Sequence, residues 1–419
     1  MTANIAVVGH VDHGKSTLIG RLLYDSQNIK DKKIEEIQKI AQQYKKKFEF
    51  AYLLDSLEEE VKEEKTIDTT QVIFKGKNYY TIIDAPGHKK FLKNMLTGAS
   101  YANAGVLVVS ASQGVREQTR RHLFLLHFLR IKKIFICINK MDILDYRKDF
   151  FEKTKKELTE LLTSLNCNSE IIPFIPISAL KGDNIYHKSE KMAWYEGLTL
   201  IQALDENIKL EEKDSSLSRF VVQDTYRVGG ERIIVGRVEA GTLRQEDEVV
   251  FSPSGLRTKI KEIKVFGEKI TQVSESDSIG LILKEDSKVG RGEVCGLADS
   301  PPIARRSFSG EMFLLSGKLQ ENESLLIKCA TNKVRGKISK IIKKIDSETV
   351  KEIHTDSQRL NPNEAACVEF KLSEPIVVEQ YSQVPALGRF ILEKNHKNIA
   401  AGIILEKIKD ESRKIKGKK

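Results

Sequence analysis

Two hydrophobic rhythms divide the chain. Up to about residue 210, short apolar runs alternate with longer amphipathic stretches. The runs Asn4–Val8, Val72–Phe74, Tyr80–Ile83, Ala104–Val109, Ile134–Ile138 and Ile172–Ile177 are candidate parallel strands. Between them lie helical stretches: Lys15–Asp25, His88–Tyr101, Thr119–Phe128 and Asp149–Leu165, with Leu200–Leu204 as a closing helix. Strands alternating with helices predict a mostly parallel sheet with helices on both faces. From Glu211 to Ser218 the chain is charged and Ser-rich, which reads as a linker. Beyond it the period shortens. Phe220–Val222, Arg232–Val238, Glu248–Phe251, Thr258–Ile263 and Ile279–Leu283 are brief runs broken by Gly, Pro, Asp and Ser. Gly229-Gly230 and Ser254-Gly255 suit hairpin turns. After Ser300-Pro301-Pro302 a second such series follows: Gly310–Leu315, Glu323–Cys329, Val334–Ile342, Ala366–Leu372, Gly388–Glu393 and Ile399–Leu405. The expected organisation is an α/β domain over 1–210, β-barrels over 216–300 and 303–407, and a basic tail over 408–419.

Four loops following apolar strands carry the chemistry. The first is Gly9-His10-Val11-Asp12-His13-Gly14-Lys15-Ser16-Thr17, a P-loop. His10 through Thr17 would hold phosphate oxygens through backbone N–H groups and the helix N-terminus. Lys15 would reach the terminal phosphates, and the Ser16 hydroxyl suits a Mg²⁺ position. The second is Asp84-Ala85-Pro86-Gly87-His88, where Asp84 can hold a metal-bound water and the Gly87 N–H can sense a γ-phosphate. The third is Asn139-Lys140-Met141-Asp142. The Asp142 carboxylate can accept from guanine N1 and the 2-amino group, Asn139 would brace the loop, and the stem of Lys140 would cover the base. The fourth is Ser178-Ala179-Leu180, whose amides suit guanine O6. Four such loops in order point to GTP and GDP with Mg²⁺.

Composition narrows the setting. With 419 residues, 40% hydrophobic and 31% charged, the chain has room for two or three cores and is neither disordered nor membrane-like. No apolar run is long enough to cross a bilayer, and the first strand begins too early for a signal peptide. Cys137, Cys167, Cys295, Cys329 and Cys367 are scattered, suiting neither a disulfide framework nor a zinc site. A cytoplasmic address is expected. The net charge of +10 gathers in Lys45–Lys47, Lys333–Lys344 and Lys407–Lys419, and the tail lacks aromatic residues on which bases could stack.

These residues resemble translation-factor-type GTPases, on the P-loop, on 84–88, and on Phe91–Met95 with Thr97-Gly98. The resemblance covers essentially the whole chain. It implies an α/β P-loop GTPase domain followed by two all-β barrel domains. Within that superfamily, Gly20–Ser26, Thr97–Ser100, Gly114–His122, Asn139–Tyr146 and Glu374–Val378 are more similar to the GTPase subunit of heterodimeric sulfate adenylyltransferase. There, GTP hydrolysis is coupled to adenylyl sulfate synthesis by a separate small subunit of the ATP-pyrophosphatase type. The alternative is the elongation factor Tu/1-alpha branch, with aminoacyl-tRNA, the ribosome and an exchange factor as partners. His10, His13 and the run Val384–Phe390 resemble that branch instead.

The resemblance also implies roles. Lys15 and Mg²⁺, held by Ser16 and Thr66 with Asp84 in support, offset charge developing on the phosphates. His88 orients the attacking water as the catalytic residue. One departure touches control: Glu64-Lys65 stands where the superfamily has Gly-Ile before the threonine at 66. No adenylyl-transfer motif is found, so that chemistry is expected of a partner.

Overall fold

The computed structural model describes residues 2–26, 50, 71–84, 102–165, 167–208, 217–265, 268–285, 288–347, 349, 351–353 and 358–406, with backbone alone at 71, 84 and 406. The expected helix over 88–101, most of the linker and the basic tail lie outside the described residues. The chain forms two compact units, one built mainly on 1–211 and the other mainly on 212–419.

The first unit contains β1 (Thr2–Gly9), α1 (Lys15–Asp25), β2 (Gln71–Lys75), β3 (Tyr79–Asp84), β4 (Ala104–Ser110), α2 (Glu117–Phe128), β5 (Lys133–Asn139), α3 (Lys148–Ser164), β6 (Phe174–Pro176) and α4 (Leu200–Asn207). The strands form one sheet in the order β2-β3-β1-β4-β5-β6. β4 is buried throughout, as a strand covered on both faces must be. Its alternation shows which helix lies where. Val106 and Val108 share a core with Leu18, Ile19, Leu22 and Leu23 of α1 and with Leu200, Ile201 and Leu204 of α4. Gly105 points the other way, where an added Cβ would stand 2.8 Å from Leu126 of α2. Helices therefore cover both faces.

One strand expectation is corrected. β2 runs antiparallel to β3, not parallel, because only Gly76-Lys77-Asn78 connects them and so short a link cannot make a parallel crossover. Asp205 of α4 pins that turn, accepting from Tyr80 Oη (2.7 Å) and Lys77 N (2.9 Å).

The second unit holds two barrels. The first is built from β7 (Arg219–Val228), β8 (Glu231–Ala240), β9 (Thr242–Arg244), β10 (Glu248–Ser252), β11 (Arg257–Val265), β12 (Glu268–Ile270), β13 (Gln272–Ser274), β14 (Ser278–Leu283) and β15 (Val294–Leu297). Its antiparallel ring runs β10-β15-β7-β8-β14-β11 and returns to β10. Gly229 and Gly230 make the β7–β8 turn with φ of 60° and 84°, the left-handed pair that a two-residue hairpin demands. The second barrel contains β16 (Ala304–Leu314), β17 (Leu319–Gln320), β18 (Ser324–Cys329), β19 (Asn332–Asp346), β20 (Arg359–Leu360), β21 (Glu364–Val377), β22 (Arg389–Lys394) and β23 (Lys397–Glu406). It closes in the order β16-β21-β19-β18-β22-β23. β16, β19 and β21 extend well past their apolar runs, because charged residues facing outward interrupt the hydrophobic signal without interrupting the ladder.

Within this unit the barrels share a small apolar cluster: Val221, Ala240 and Val294 against Val377, Val384 and Leu387. Beside it Arg219 Nε donates to Glu379 Oε1 at 3.0 Å, with the side chains only 4% and 2% exposed. Arg219 Nη1 donates to the carbonyls of Ser218 (2.9 Å) and Ser300 (2.8 Å). Removing one partner of such a pair leaves a buried charge uncompensated. Glu379→Ala should destabilise the barrel unit by about 3–5 kcal/mol. Chemical denaturation followed by circular dichroism checks this, with the exposed Lys261→Ala as a comparison that leaves the midpoint nearly unchanged.

Candidate nucleotide site

All four motif loops leave the same edge of the first sheet. β1 and β3 are parallel and pair Val7 with Asp84, while β4 and β5 pair Ser110 with Asn139. The edge where strand carboxyl ends meet is where α/β sheets bind ligands.

The P-loop is shaped by backbone constraints. At Gly9 (φ 153°) a Cβ would lie 2.3 Å from the Val108 carbonyl oxygen. Asp12 and Gly14 adopt left-handed conformations, with φ of 67° and 89°. Gly14 starts α1 without a side-chain cap, so the first-turn amides are left for an anion. Lys15 Nζ arches over the loop and donates to Gly9 O (2.8 Å) and His10 O (3.0 Å). Val11, Asp12 and Ser16 are exposed, and Thr17 is half-buried. His10 hydrogen-bonds through Nδ1 to Val11 O, and its ring centroid is 5.0 Å from that of His13. His13 is fully buried, with Nδ1 3.3 Å from Val108 O. Burial, reinforced by neighbouring His10 and Lys15, pulls its pKa down to about 4, against opposing hydrogen bonds to the Val108 carbonyl and Gln113.

Among the described residues, one side chain joins the loop after β6 to this one. Asn139, almost completely buried, donates from Nδ2 to His13 O (2.9 Å) and accepts at Oδ1 from Ala179 N (2.9 Å). A Cβ on Gly14 would stand 2.4 Å from Asn139 Nδ2. Lys140 takes a left-handed turn (φ 65°), and Asp142 follows in the 3₁₀ turn Met141–Leu144. Ser178 Oγ donates to Asp142 Oδ1 at 2.7 Å. Of the three amides expected to face guanine O6, Ser178 N donates to Asp183 O and Ala179 N to Asn139 Oδ1. Leu180, half-exposed, is the one whose amide has no internal acceptor among the described residues.

The structure therefore brings together His10 through Thr17 with Asn139, Asp142, Ser178 and Ala179. Asp84 is placed by its backbone at the end of β3. Thr66, Gly87 and His88, together with Glu64 and Lys65, lie outside the described residues. Reading the sequence missed Tyr146 and Asp183. Tyr146 Oη donates to Asp183 Oδ2 at 2.9 Å, just behind the Asp142 turn. Their signal was available as polar residues within a few positions of two recognised motifs. His122, expected in a helix, is buried in α2.

Fold and first loop define the class: a P-loop GTPase domain with two C-terminal β-barrels. Comparison with known proteins narrows it. Residues 1–210 match the family model described as the elongation factor Tu GTP binding domain, and 308–405 match the GTP-eEF1A C-terminal domain-like model. Elongation factor 1-alpha of Methanocaldococcus jannaschii is 41% identical over 414 residues, covering 96% of this chain and 97% of the relative. The proteins of the same name from Methanosarcina barkeri and Hyperthermus butylicus are 38% and 39% identical, covering 96% and 99% of this chain and 97% and 98% of theirs. A solved structure of Sup35 complexed with GDP is 22% identical, with a TM-score of 0.46, covering 97% of this chain and 94% of that one. The chain belongs to the elongation factor 1-alpha family of translation-factor GTPases.

These relatives overturn the sulfate adenylyltransferase reading and, with it, the expected small-subunit partner. The similarity that decides runs through all three domains, whereas the sequence reading weighed a handful of short segments. GTP binding and GTPase character stand. Among the described residues no metal-binding cluster of His, Cys, Asp or Glu occurs, all five cysteines are free, and no helix is long and apolar enough to cross a membrane.

Two predictions follow from this geometry. Asn139→Ala removes two buried hydrogen bonds and should weaken GDP binding by about 1–3 kcal/mol, roughly 5- to 150-fold. Calorimetric titration with GDP measures it, and unchanged affinity would refute the bracing role. His13 supplies the second. It titrates near 6.5 when unfolded and near 4 when folded, so between these values the unfolded chain binds the proton first. Its contribution to stability is complete above about pH 6.5 and is lost as pH falls towards 4. His13→Asn should flatten that acid limb, as read from unfolding midpoints across the pH range.

Proposed function

We propose that this chain is an elongation factor of the 1-alpha type, which binds aminoacyl-tRNA in its GTP form, delivers it to the ribosome and is released by hydrolysis. The observation that carries this reading is similarity to elongation factor 1-alpha along nearly the whole chain, barrels included. Such a role belongs in the cytoplasm and calls for an exchange factor to renew GTP.

The roles follow from residue placement. Backbone amides at Gly14 and the start of α1 face the phosphates, and Lys15 moves from the loop carbonyls to the β- and γ-phosphates. Ser16, exposed on the first turn of α1, offers a hydroxyl that fits Mg²⁺, together with Thr66 and Asp84. The ion, when bound, neutralises charge on the phosphates. Asp142 accepts from the guanine edge, Lys140 covers the base, and Leu180 offers its amide to O6. Gly87 senses the γ-phosphate, and His88 orients the attacking water.

The second barrel favours an RNA partner. Lys333, Arg335, Lys337 and Lys340 are exposed on β19, and Lys371 is exposed on the adjoining β21. None of the five has an ion-pair partner among the described residues. The register sets Lys337 directly opposite Lys371. Like charges facing across a ladder are unfavourable, and a phosphate backbone relieves the repulsion.

Binding of aminoacyl-tRNA should require GTP, fail with GDP, and weaken steeply with salt, as a filter or fluorescence assay would read. Lys337→Ala should lower the slope of log K against log salt by about 1. Equal affinity in both nucleotide states would refute the proposal. His88→Ala should slow single-turnover GTP hydrolysis at least ~10-fold with GTP affinity nearly unchanged, because the contact matters mainly in the transition state.

A further inference from the structure

Behind the 3₁₀ turn that carries Asp142, four hydrogen bonds close into a ring. Asp142 Oδ1 accepts from Ser178 Oγ at 2.7 Å, and Ser178 N donates to Asp183 O at 3.2 Å. Asp183 Oδ2 accepts from Tyr146 Oη at 2.9 Å, and Tyr146 N donates to Met141 O at 2.9 Å, one peptide from Asp142. Every polar group of Tyr146 is engaged, since its carbonyl accepts from Trp194 Nε1 at 2.9 Å. Asp183 is equally committed, with Oδ1 accepting from Ser189 Oγ at 2.7 Å. The backbone supports this arrangement: Asp145 and Tyr146 are consecutive left-handed residues (φ 48° and 56°), and Gly182 and Asn184 flank Asp183 with φ of 83° and 57°. Two left-handed non-glycine residues in succession persist only where the surroundings over-determine them. Lys191 adds a cation 5.0 Å from the centre of the Tyr146 ring.

From this ring we infer that Tyr146 and Asp183 are positioning residues for guanine specificity, fixing the Asp142 carboxylate so that both of its oxygens work at once. Oδ1 accepts from Ser178 with one lone pair and keeps another for the base, and Oδ2 has no partner among the described residues. Two hydrogen bonds to the N1–H and 2-amino group of guanine need the carboxylate plane to be set in advance. Otherwise the base must order the turn as it binds. The phenol stays protonated, since partial burial and then the Asp183 hydrogen bond both raise its pKa, so it remains a donor across the working pH range. The inference rests on the guanine-nucleotide reading and adds to it residues that do not touch the nucleotide.

The discriminating probe is a pair of ligands, GDP and inosine diphosphate, which lacks the 2-amino group. Tyr146→Phe and Asp183→Asn are each introduced into the full chain, and both ligands are titrated calorimetrically, with thermal melts confirming that the variants fold. The expected result is a fall of about 5- to 10-fold in GDP affinity with inosine diphosphate affinity changed less than about 3-fold, so that the preference for GDP shrinks. A loss transmitted through the turn stays below that of removing a charge-assisted hydrogen bond to the ligand itself. A parallel loss for both ligands would mean that the ring merely stiffens the domain and would overturn the inference. So would an unchanged ratio in both variants. Wild-type chain with no preference for GDP over inosine diphosphate would overturn the nucleotide reading itself, which keeps the two failures distinguishable.

Discussion

The nucleotide site depends on one buried amide. Asn139 bonds both to the phosphate loop, through His13 O, and to the loop after β6, through Ala179 N. An amide is suited to this because it offers a donor and an acceptor at once, with no charge to desolvate. A carboxylate could not donate to the His13 carbonyl, and an ammonium could not accept from Ala179. The contact also dictates its neighbour: the chain at 14 must be glycine, since a Cβ there would meet Asn139 Nδ2. The P-loop glycine thus serves the base-binding side as well as the left-handed backbone on which α1 begins.

The barrels answer to a different constraint. The second barrel's interior is filled by large side chains: Phe308, Phe370 and Phe390 meet with centroids 4.9–5.4 Å apart. Gly310 and Gly402 leave room for the Phe390 ring, each with an imagined Cβ within 2.8 Å of it. With the core satisfied by inward-facing positions, outward positions are free to carry charge. That is why β19 can be both a fifteen-residue strand and the most basic stretch of the described chain. The Arg219–Glu379 pair links the two barrels beside a small apolar seam. Its value is one of geometry, since charges so deeply buried gain little net stability but tolerate only one arrangement.

The first domain was legible because two codes coincided in it. Apolar runs marked the strands, and glycine, Lys-Ser and Asn-Lys-x-Asp marked the loops at their ends, so α1, α3, β1, β4 and β5 were placed to within a few residues. The antiparallel β2 was misread because a burial pattern carries no direction, and only the three-residue turn at 76–78 reveals it. Long barrel strands were read short, since lysines on the outer face resemble loop residues when the alternation is ignored. The branch was misread for a related reason. Segments such as Gly20–Ser26 do local work: Arg21 pairs with Asp25 at 2.8 Å and lies over Tyr24. Residues occupied with packing report descent of the domain and say little about its partner. His10, His13 and Val384–Phe390 pointed to the right branch but were outnumbered. Tyr146 and Asp183 stand beside recognised motifs, but their pairing across 37 positions leaves no periodic trace.

On the proposed reading, the two levels of bracing make base and phosphate recognition a single act. Asn139 ties the P-loop to the 178–180 loop, and the Asp142–Ser178–Asp183–Tyr146 ring ties that loop to the turn bearing Asp142. Ser178 and Ala179 stand at the junction of both, one through its hydroxyl and the other through its amide. Ordering these loops before the nucleotide arrives removes an entropy term that would otherwise be charged against affinity, since each residue fixed on binding costs about 1–2 kcal/mol. On the guanine-nucleotide reading, the same connection sharpens discrimination against adenine. A misfit at the base cannot be absorbed by moving Asp142 alone, because the turn shares its hydrogen bonds with the loop that, through Asn139, shapes the phosphate cradle. On the proposed reading, specificity is a property of the braced loops as a set, with Asp142 as the point at which that set meets the ligand.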